Sequence, residues 1–314
     1  MAQKAMTGNG PAVSGPFDPD NDELYRRWRD WKLEAHPRAA ADLVVELADP
    51  FAITEAEYEA LMARIRSANM ALYVTRAVDA ETGKSLIRAI GARLGISQLD
   101  ANMLADDDGI TPLTVIEDGR RPHYIPYTDR PIDWHTDGYY NPMDRQNRSL
   151  NLYCVQDSES GGENAVLDHE IAYILMREAD PEFIRAFTHP HCMTIPANVE
   201  NGRELRPART GPVFSVNPDD GSLHMRYTAR KRNIVWRDDE VTRQAVAFLE
   251  SLTGDAASPY IFRHRQAPGH GLISTNVLHD RAGFTDSPDK KRLIYRARYF
   301  DRIKGASLPE CWPG

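Results

Sequence analysis

The sequence predicts an α+β, mainly β fold: a double-sheet jelly roll (a double-stranded β-helix) with flanking helices. Three observations carry this expectation. Short β-rich segments crowd the chain from Ile110 onward. Helical periodicity is concentrated before that point and in a few later stretches. No repeat or linker cuts the 314 residues in two, so residues 20–314 read as one domain with a helical N-terminal part.

Residues 1–19 are rich in Gly, Pro and Ala and lack the apolar core of a signal peptide, so they read as a flexible arm. Asp20 to His36 reads as a helix, with Leu24, Trp28 and Trp31 at helical spacing; the tryptophans are expected in the core. Ala40 to Leu47 reads as a helical continuation. Thr54 and Glu57 form a capping box that opens a helix to about Ser67. A short strand, Ala71 to Thr75, precedes a helix capped by Asp79 and stopped at Gly95.

Thr111 to Ile116, His123 to Thr128 and Ser149 to Val155 follow as strands, then Asn164 to Leu167 after a Gly161-Gly162 turn. Asp168 to Ala179 reads as a helix, and Asp180-Pro181 starts another. Val213 to Val216 and Leu223 to Tyr227 flank a turn and predict a hairpin. Asp238 to Leu252 is amphipathic. Three strands close the chain: Tyr260 to Arg265, Leu272 to Leu278 and Arg292 to Phe300.

The net charge is −8 with no basic stripe, which argues against a nucleic-acid binder. Three widely spaced cysteines make no disulfide framework and fit a reducing cytoplasm. No apolar run is long enough for a membrane span. The expected partner is a small-molecule substrate; homo-oligomerisation through the N-terminal helices stays open.

The chemistry centres on Trp134-His135-Thr136-Asp137. In an extended strand alternate side chains share a face, so His135 and Asp137 can aim at one point. With a second histidine, His279 being the best candidate, they would make the two-histidine, one-carboxylate set that holds non-haem Fe(II) with open positions. Arg292, Arg296 and Arg298 lie even numbers of residues apart, so a strand presents them on one face, where they need an anionic partner if buried.

The order His135-x-Asp137, Gly161-Gly162-Glu163-Asn164, His279, Arg292-xxx-Arg296 resembles the Fe(II)/2-oxoglutarate-dependent dioxygenases of the taurine dioxygenase and clavaminate synthase-like superfamily. The likeness runs over residues 110–300. It implies a cupin-like jelly roll, with Fe(II), 2-oxoglutarate and O2 as cofactor and cosubstrates. It also implies that His135, Asp137 and His279 are the catalytic metal ligands. Arg296 then resembles the arginine that pairs with the C5 carboxylate, Arg292 a second arginine near the C1 carboxylate, and Asn164 stands where the family often has threonine. The implied outcome is hydroxylation of a small anionic or zwitterionic molecule, with release of succinate and CO2. Since Asp137 keeps the carboxylate, halogenation is not implied.

Tyr139, Tyr140 and Asn141 follow the metal motif, and Arg226 and Arg230 lie at the later hairpin; of these, Tyr139, Tyr140, Asn141 and Arg230 are the expected substrate contacts. His189-Pro190-His191-Cys192 has metal-binding residue types but no second ligand pair, and reads as a structural loop. A zinc-dependent hydrolase using the same His-Asp-His set, and a non-catalytic jelly-roll binding protein, remain as alternatives. His135→Ala or Asp137→Ala should abolish iron binding and turnover. On this reading, Arg296→Ala should weaken 2-oxoglutarate binding by on the order of 2–5 kcal/mol, measured by anaerobic titration; unchanged affinity would remove the Arg296 assignment.

Overall fold

The computed structural model describes residues 15–101, 108–116 and 124–312. Two sheets face each other. The larger has six strands in the order Val44–Glu46, Met70–Val74, His270–Ser274, Ser149–Gln156, Leu293–Tyr299, Thr111–Leu113. The smaller has four, in the order Phe262–His264, Asn164–Leu167, Leu278–Arg281, Ile132–His135. Apart from the parallel pair Val44–Glu46 with Met70–Val74, the ladders in both sheets are antiparallel. Between the sheets lies an apolar layer that includes Leu150, Leu152 and Ile294 from one side and Val166 and Phe262 from the other. This is the expected double-sheet jelly roll.

Helices cover the outer faces. Glu55–Ala68 and Ala80–Arg93 put Leu61, Ile65, Leu86 and Ile90 against Tyr73 and Tyr295 of the larger sheet. The Thr54–Glu57 box forms, with Thr54 Oγ1 accepting from the Glu57 N–H. Asp22–Ala35, His169–Ala179, Pro181–Thr188 and Glu240–Gly254 gather around Trp28, Tyr173, Phe187 and Leu249. Trp28 is fully buried and Trp31 packs beside it, as expected of core aromatics. Among the described residues no helix is long and apolar enough to cross a membrane.

Several local expectations fail for physical reasons. Residues 15–19 belong to the fold, not to a mobile arm: Phe17 is buried against Trp28, and the carbonyls of Pro16, Asp18 and Pro19 accept from Arg177. Residues 1–14 lie outside the described residues. Ala40–Leu43 makes a single 3-10 turn, after which the β-branched pair Val44-Val45 enters the sheet. In the expected strand His123 to Thr128, Ile125–Tyr127 is a 3-10 turn, because Pro126 has no N–H for a ladder; His123 is outside the described residues. The expected strand Leu272 to Leu278 is two strands. His270–Ser274 pairs in the larger sheet and Leu278–Arg281 in the smaller, with Asn276 at the corner in the left-handed region (φ 65°).

One buried charge cluster pins the first helix to the domain. Lys32 Nζ lies 2.7 Å from Asp168 and 2.6 Å from Glu170, with Lys32 and Asp168 fully buried. Burial alone would lower the Lys32 amine, but Asp168 and Glu170 outweigh it and hold it above its ordinary value. Burial would likewise raise the Asp168 carboxyl, but Lys32 outweighs it and holds it at about 2. Because the folded value is depressed, this stabilisation is present above the unfolded value of about 3.9 and is lost as pH falls towards about 2. Lys32→Met leaves two buried carboxylates facing each other and should cost about 3–5 kcal/mol, read as a lower urea midpoint at neutral pH.

Candidate active site

The smaller sheet brings the three expected ligands together. His279 is the register partner of His135 on the neighbouring antiparallel strand, so both imidazoles leave the same face. Their ring centroids are 4.3 Å apart. Asp137 lies just past the end of Ile132–His135, and its Oδ2 is 3.9 Å from His279 Nε2. Thr136 turns away as expected: its N–H bonds the Tyr227 carbonyl and its hydroxyl accepts from the Tyr227 N–H. All three side chains are buried or nearly so.

Each imidazole is oriented by its own strand. His135 Nδ1 sits 2.9 Å from the Asp133 carbonyl, and His279 Nδ1 sits 2.9 Å from the Val277 carbonyl. Nδ1 must therefore carry the proton, which leaves Nε2 with the lone pair. Burial, and then the facing His279, push the His135 imidazole down to about 3, so it is neutral at ordinary pH. Burial would raise Asp137, but Arg296 and then Arg298 outweigh it and hold the carboxyl well below the usual range.

The triad as it stands is set for charge compensation by arginine. Arg296 Nη1 donates to Asp137 Oδ1 at 3.0 Å, and Arg298 lies 3.7 Å from the same oxygen. Among the described residues no three histidine, cysteine or acidic side chains are drawn together closely enough to clasp an ion as they stand. The donor set nevertheless fits a divalent metal: two imidazoles held through Nδ1 to backbone carbonyls with Nε2 turned outward, and an Asp137 Oδ2 that is buried without a hydrogen-bond partner.

The arginines do share one face of Leu293–Tyr299, with Leu293, Tyr295 and Tyr299 on the other, but they do different things. Arg298 pairs with Asp100 at 2.9 Å and donates to the Tyr140 hydroxyl at 2.8 Å. Burial opposes its charge, but Tyr140, Asp137 and Asp100 outweigh it and raise its pKa. Arg292, at the far end of the strand, is 4% exposed, lies over Phe284, and has Nη1 buried without a partner. Burial pushes it down to about 10.

His135, Asp137, Tyr139, Tyr140, Arg230, Arg296 and Arg298 line a cavity of about 430 Å³. The sequence did not point to its other wall, Ile195 to Asn198 with Leu205 and Arg206, which the end of Met193–Ile195 and the short ribbon Asn198–Glu200 and Arg203–Arg206 supply. Arg206 donates to the Pro196 and Pro207 carbonyls and lies 5.9 Å from the Tyr140 ring. A wider surface depression of about 770 Å³ beside Asp133 and Asp280 contains none of the three triad residues, so the chemistry belongs to the smaller cavity.

Three other residues that the sequence singled out lie outside the cavity lining. Asn141 does not line the cavity; its amide donates to Asn147 Oδ1 and Asp100 Oδ2 and ties the loop together. Arg226 is buried, with its guanidinium engaged by the Tyr139, Met193, Gly211 and Arg209 carbonyls. Asn164 donates its amide to the Asp280 carbonyl at 2.7 Å, and its Oδ1 is buried without a partner. His189 and His191 sit together at the surface while Cys192 is in the core, consistent with a structural loop.

Comparison with known proteins adds to this geometry. The family model described as Taurine catabolism dioxygenase TauD, TfdA family matches residues 32–298. A uridine-5′-phosphate dioxygenase from an Amycolatopsis species is 32% identical over 184 residues, which is 55% of this chain and 62% of that protein. This chain's match thus spans just under two thirds of that relative's length. A uridine-5′-phosphate dioxygenase from a Streptomyces species is 27% identical over 238 residues, 70% of this chain and 81% of its own length. The crystal structure of the non-heme iron oxygenase OrfP with Fe and alpha-ketoglutaric acid superposes with a TM-score of 0.56 at 15% identity, covering 74% of this chain and 75% of that one. At that identity the likeness is one of fold.

Proposed function

This chain belongs to the TauD/TfdA family of dioxygenases, and on that premise we propose that it is a non-haem Fe(II)- and 2-oxoglutarate-dependent oxygenase of a small phosphorylated molecule, with uridine-5′-phosphate the first substrate to test. The observation that carries the reading is the pairing of His135 with His279 across two strands, with Asp137 beside them at the wall of an arginine-rich cavity. When bound, iron and 2-oxoglutarate supply the oxidising chemistry, in which O2 is consumed and succinate and CO2 are released. The chain's own residues hold the ion, orient the two small molecules and keep bulk water out.

His135 Nε2, His279 Nε2 and Asp137 would hold the iron, with Arg296 giving up part of its hold on the carboxylate as the metal takes it over. The two proposed cosubstrate arginines take roles opposite to those the sequence implied. Arg296 touches Asp137, so it faces the end of 2-oxoglutarate that meets the metal. Arg292 lies four residues away on the same face, about 13 Å along a strand, and its buried, unpartnered Nη1 suits the far carboxylate. A zinc hydrolase would leave that buried guanidinium without a purpose.

The substrate class rests on the relatives' names and on the charge of the cavity. Five arginines and two aspartates line it. Arg296 and Arg298 are engaged by Asp137 and Asp100, whereas Arg206, Arg230 and Arg232 have no carboxylate partner among the described residues. Burial lowers Arg206, so an arriving anion would relieve a real cost. Tyr139 and Tyr140 offer aromatic faces to a ring.

With Fe(II), 2-oxoglutarate and O2, uridine-5′-phosphate should stimulate succinate formation more than uridine or taurine does. Arg206→Gln should raise KM for the phosphorylated substrate on the order of tenfold, the worth of one hydrogen bond to a charged group. If the visible iron–cosubstrate band forms but no phosphorylated compound stimulates turnover, the substrate class is wrong and the cofactor reading stands. Arg292→Ala should weaken 2-oxoglutarate binding more than Arg296→Ala; the opposite order would restore the roles implied by the sequence.

A further inference from the structure

The geometry points to Asn276 as the positioning residue for the Asp137 carboxylate, an inference that rests on Asp137 being a metal ligand. Asn276 occupies the corner where the chain leaves the larger sheet after His270–Ser274 and enters the smaller one at Leu278–Arg281, the strand that carries His279. It is 1% exposed. Its backbone is left-handed, φ 65°, a conformation that asparagine tolerates better than most residues.

Its side chain reads the backbone of Asp137 on both sides. Oδ1 accepts from the Asp137 N–H at 2.8 Å, and Nδ2 donates to the Asp137 carbonyl at 2.9 Å. The same Nδ2 donates to the Asn147 carbonyl at 2.9 Å, which ties down the far end of the loop that begins at Asp137. With the peptide units on both sides of its Cα held, Asp137 cannot change φ and ψ freely, so its Cα–Cβ bond has a fixed direction. The only freedom left to the carboxylate is its own χ angles.

Both flanks of this clamp are held. On one side, Thr275 donates its N–H to the Asn69 carbonyl and its hydroxyl to Asn69 Oδ1, while Asn69 Nδ2 donates to Asp168, the partner of Lys32. On the other, Gly138 is left-handed (φ 67°), and a Cβ there would fall 1.7 Å from Asn147 Oδ1, so only glycine lets Asn147 close on the loop. The corner that orients Asp137 is thereby anchored to the buried ion pair at the first helix, and the same corner sets the start of the His279 strand. One residue fixes the relation between two ligands that lie 142 positions apart in sequence.

The test uses Asn276→Asp, which keeps an acceptor for the Asp137 N–H and loses both donors, and Asn276→Gly, which keeps the backbone conformation and loses the clamp. Co(II) titration followed by visible absorption reads metal affinity without turnover. Folding is checked by circular dichroism, and Asp137→Ala is run beside them. Both variants should fold and bind Co(II) on the order of 10–100-fold more weakly, with fewer products formed per 2-oxoglutarate consumed in the iron enzyme. Wild-type affinity and coupling in both would overturn the inference. Wild-type metal affinity in Asp137→Ala would instead overturn the ligand assignment beneath it. Amide hydrogen exchange of the metal-free wild type covers the case in which neither variant folds. The Asp137 N–H should be protected without metal, and exchange at the rate of a free amide would sink the clamp.

Discussion

A carboxylate buried among guanidinium groups is the constraint on which the rest of the site depends. Asp137 is 4% exposed, and burying an unpaired carboxylate would cost several kcal/mol. Arg296 and Arg298 meet that cost, and both come from the last long strand of the chain. That strand must therefore be in place, between Ser149–Gln156 and Thr111–Leu113, before Asp137 can sit where it does. The central pairing of the larger sheet and the electrostatics of the smaller sheet's site are thus one problem. A divalent metal held there would offer Asp137 a nearer positive charge and would free the arginines to face other anions.

How much of this was legible in the sequence follows from which features are local. The capping box at Thr54, the Asp79 cap and the proline-started helix at Pro181 are set by side chains within a few residues of the element, and each forms as read. The triad was legible because a period of two fixes which side chains share a face, and the family resemblance supplied the distant histidine. The arginine row was legible for the same reason. Which of these arginines meets Asp137 was not, because spacing along a strand gives a distance without a direction. That direction is set by register, with Arg296 opposite Leu152 in one neighbour and Thr111 in the other.

Other features escaped because they depend on partners far along the chain. The ribbon Asn198–Glu200 and Arg203–Arg206 is short, largely exposed and without apolar alternation, so nothing local marks it as a cavity wall. Arg226 reads like a polar residue of an exposed hairpin, yet four backbone carbonyls from three separate stretches converge on it. The run Leu272 to Leu278 looks like one apolar strand. Only the pairing partners show it changing sheets at Asn276, where the polar run Ser274-Thr275-Asn276 between two apolar pairs was the available signal.

The charge of the site runs against that of the chain. Acidic residues outnumber basic ones by eight overall, yet arginines outnumber aspartates in the cavity. A positive recess in an acidic protein focuses its field at the mouth and disfavours non-specific anions elsewhere on the surface. The pairing pattern divides this excess by depth. Arg296 and Arg298, beside the triad, are matched by Asp137 and Asp100, so in the metal-free fold their charge goes to stabilising buried carboxylates. Arg206, Arg230 and Arg232 have no carboxylate partner among the described residues, so the net positive charge of the cavity comes from them. The paired and unpaired arginines therefore sit on different elements: Arg296 and Arg298 on the last long strand, and Arg206 on a two-stranded ribbon separate from the two sheets that carry the triad.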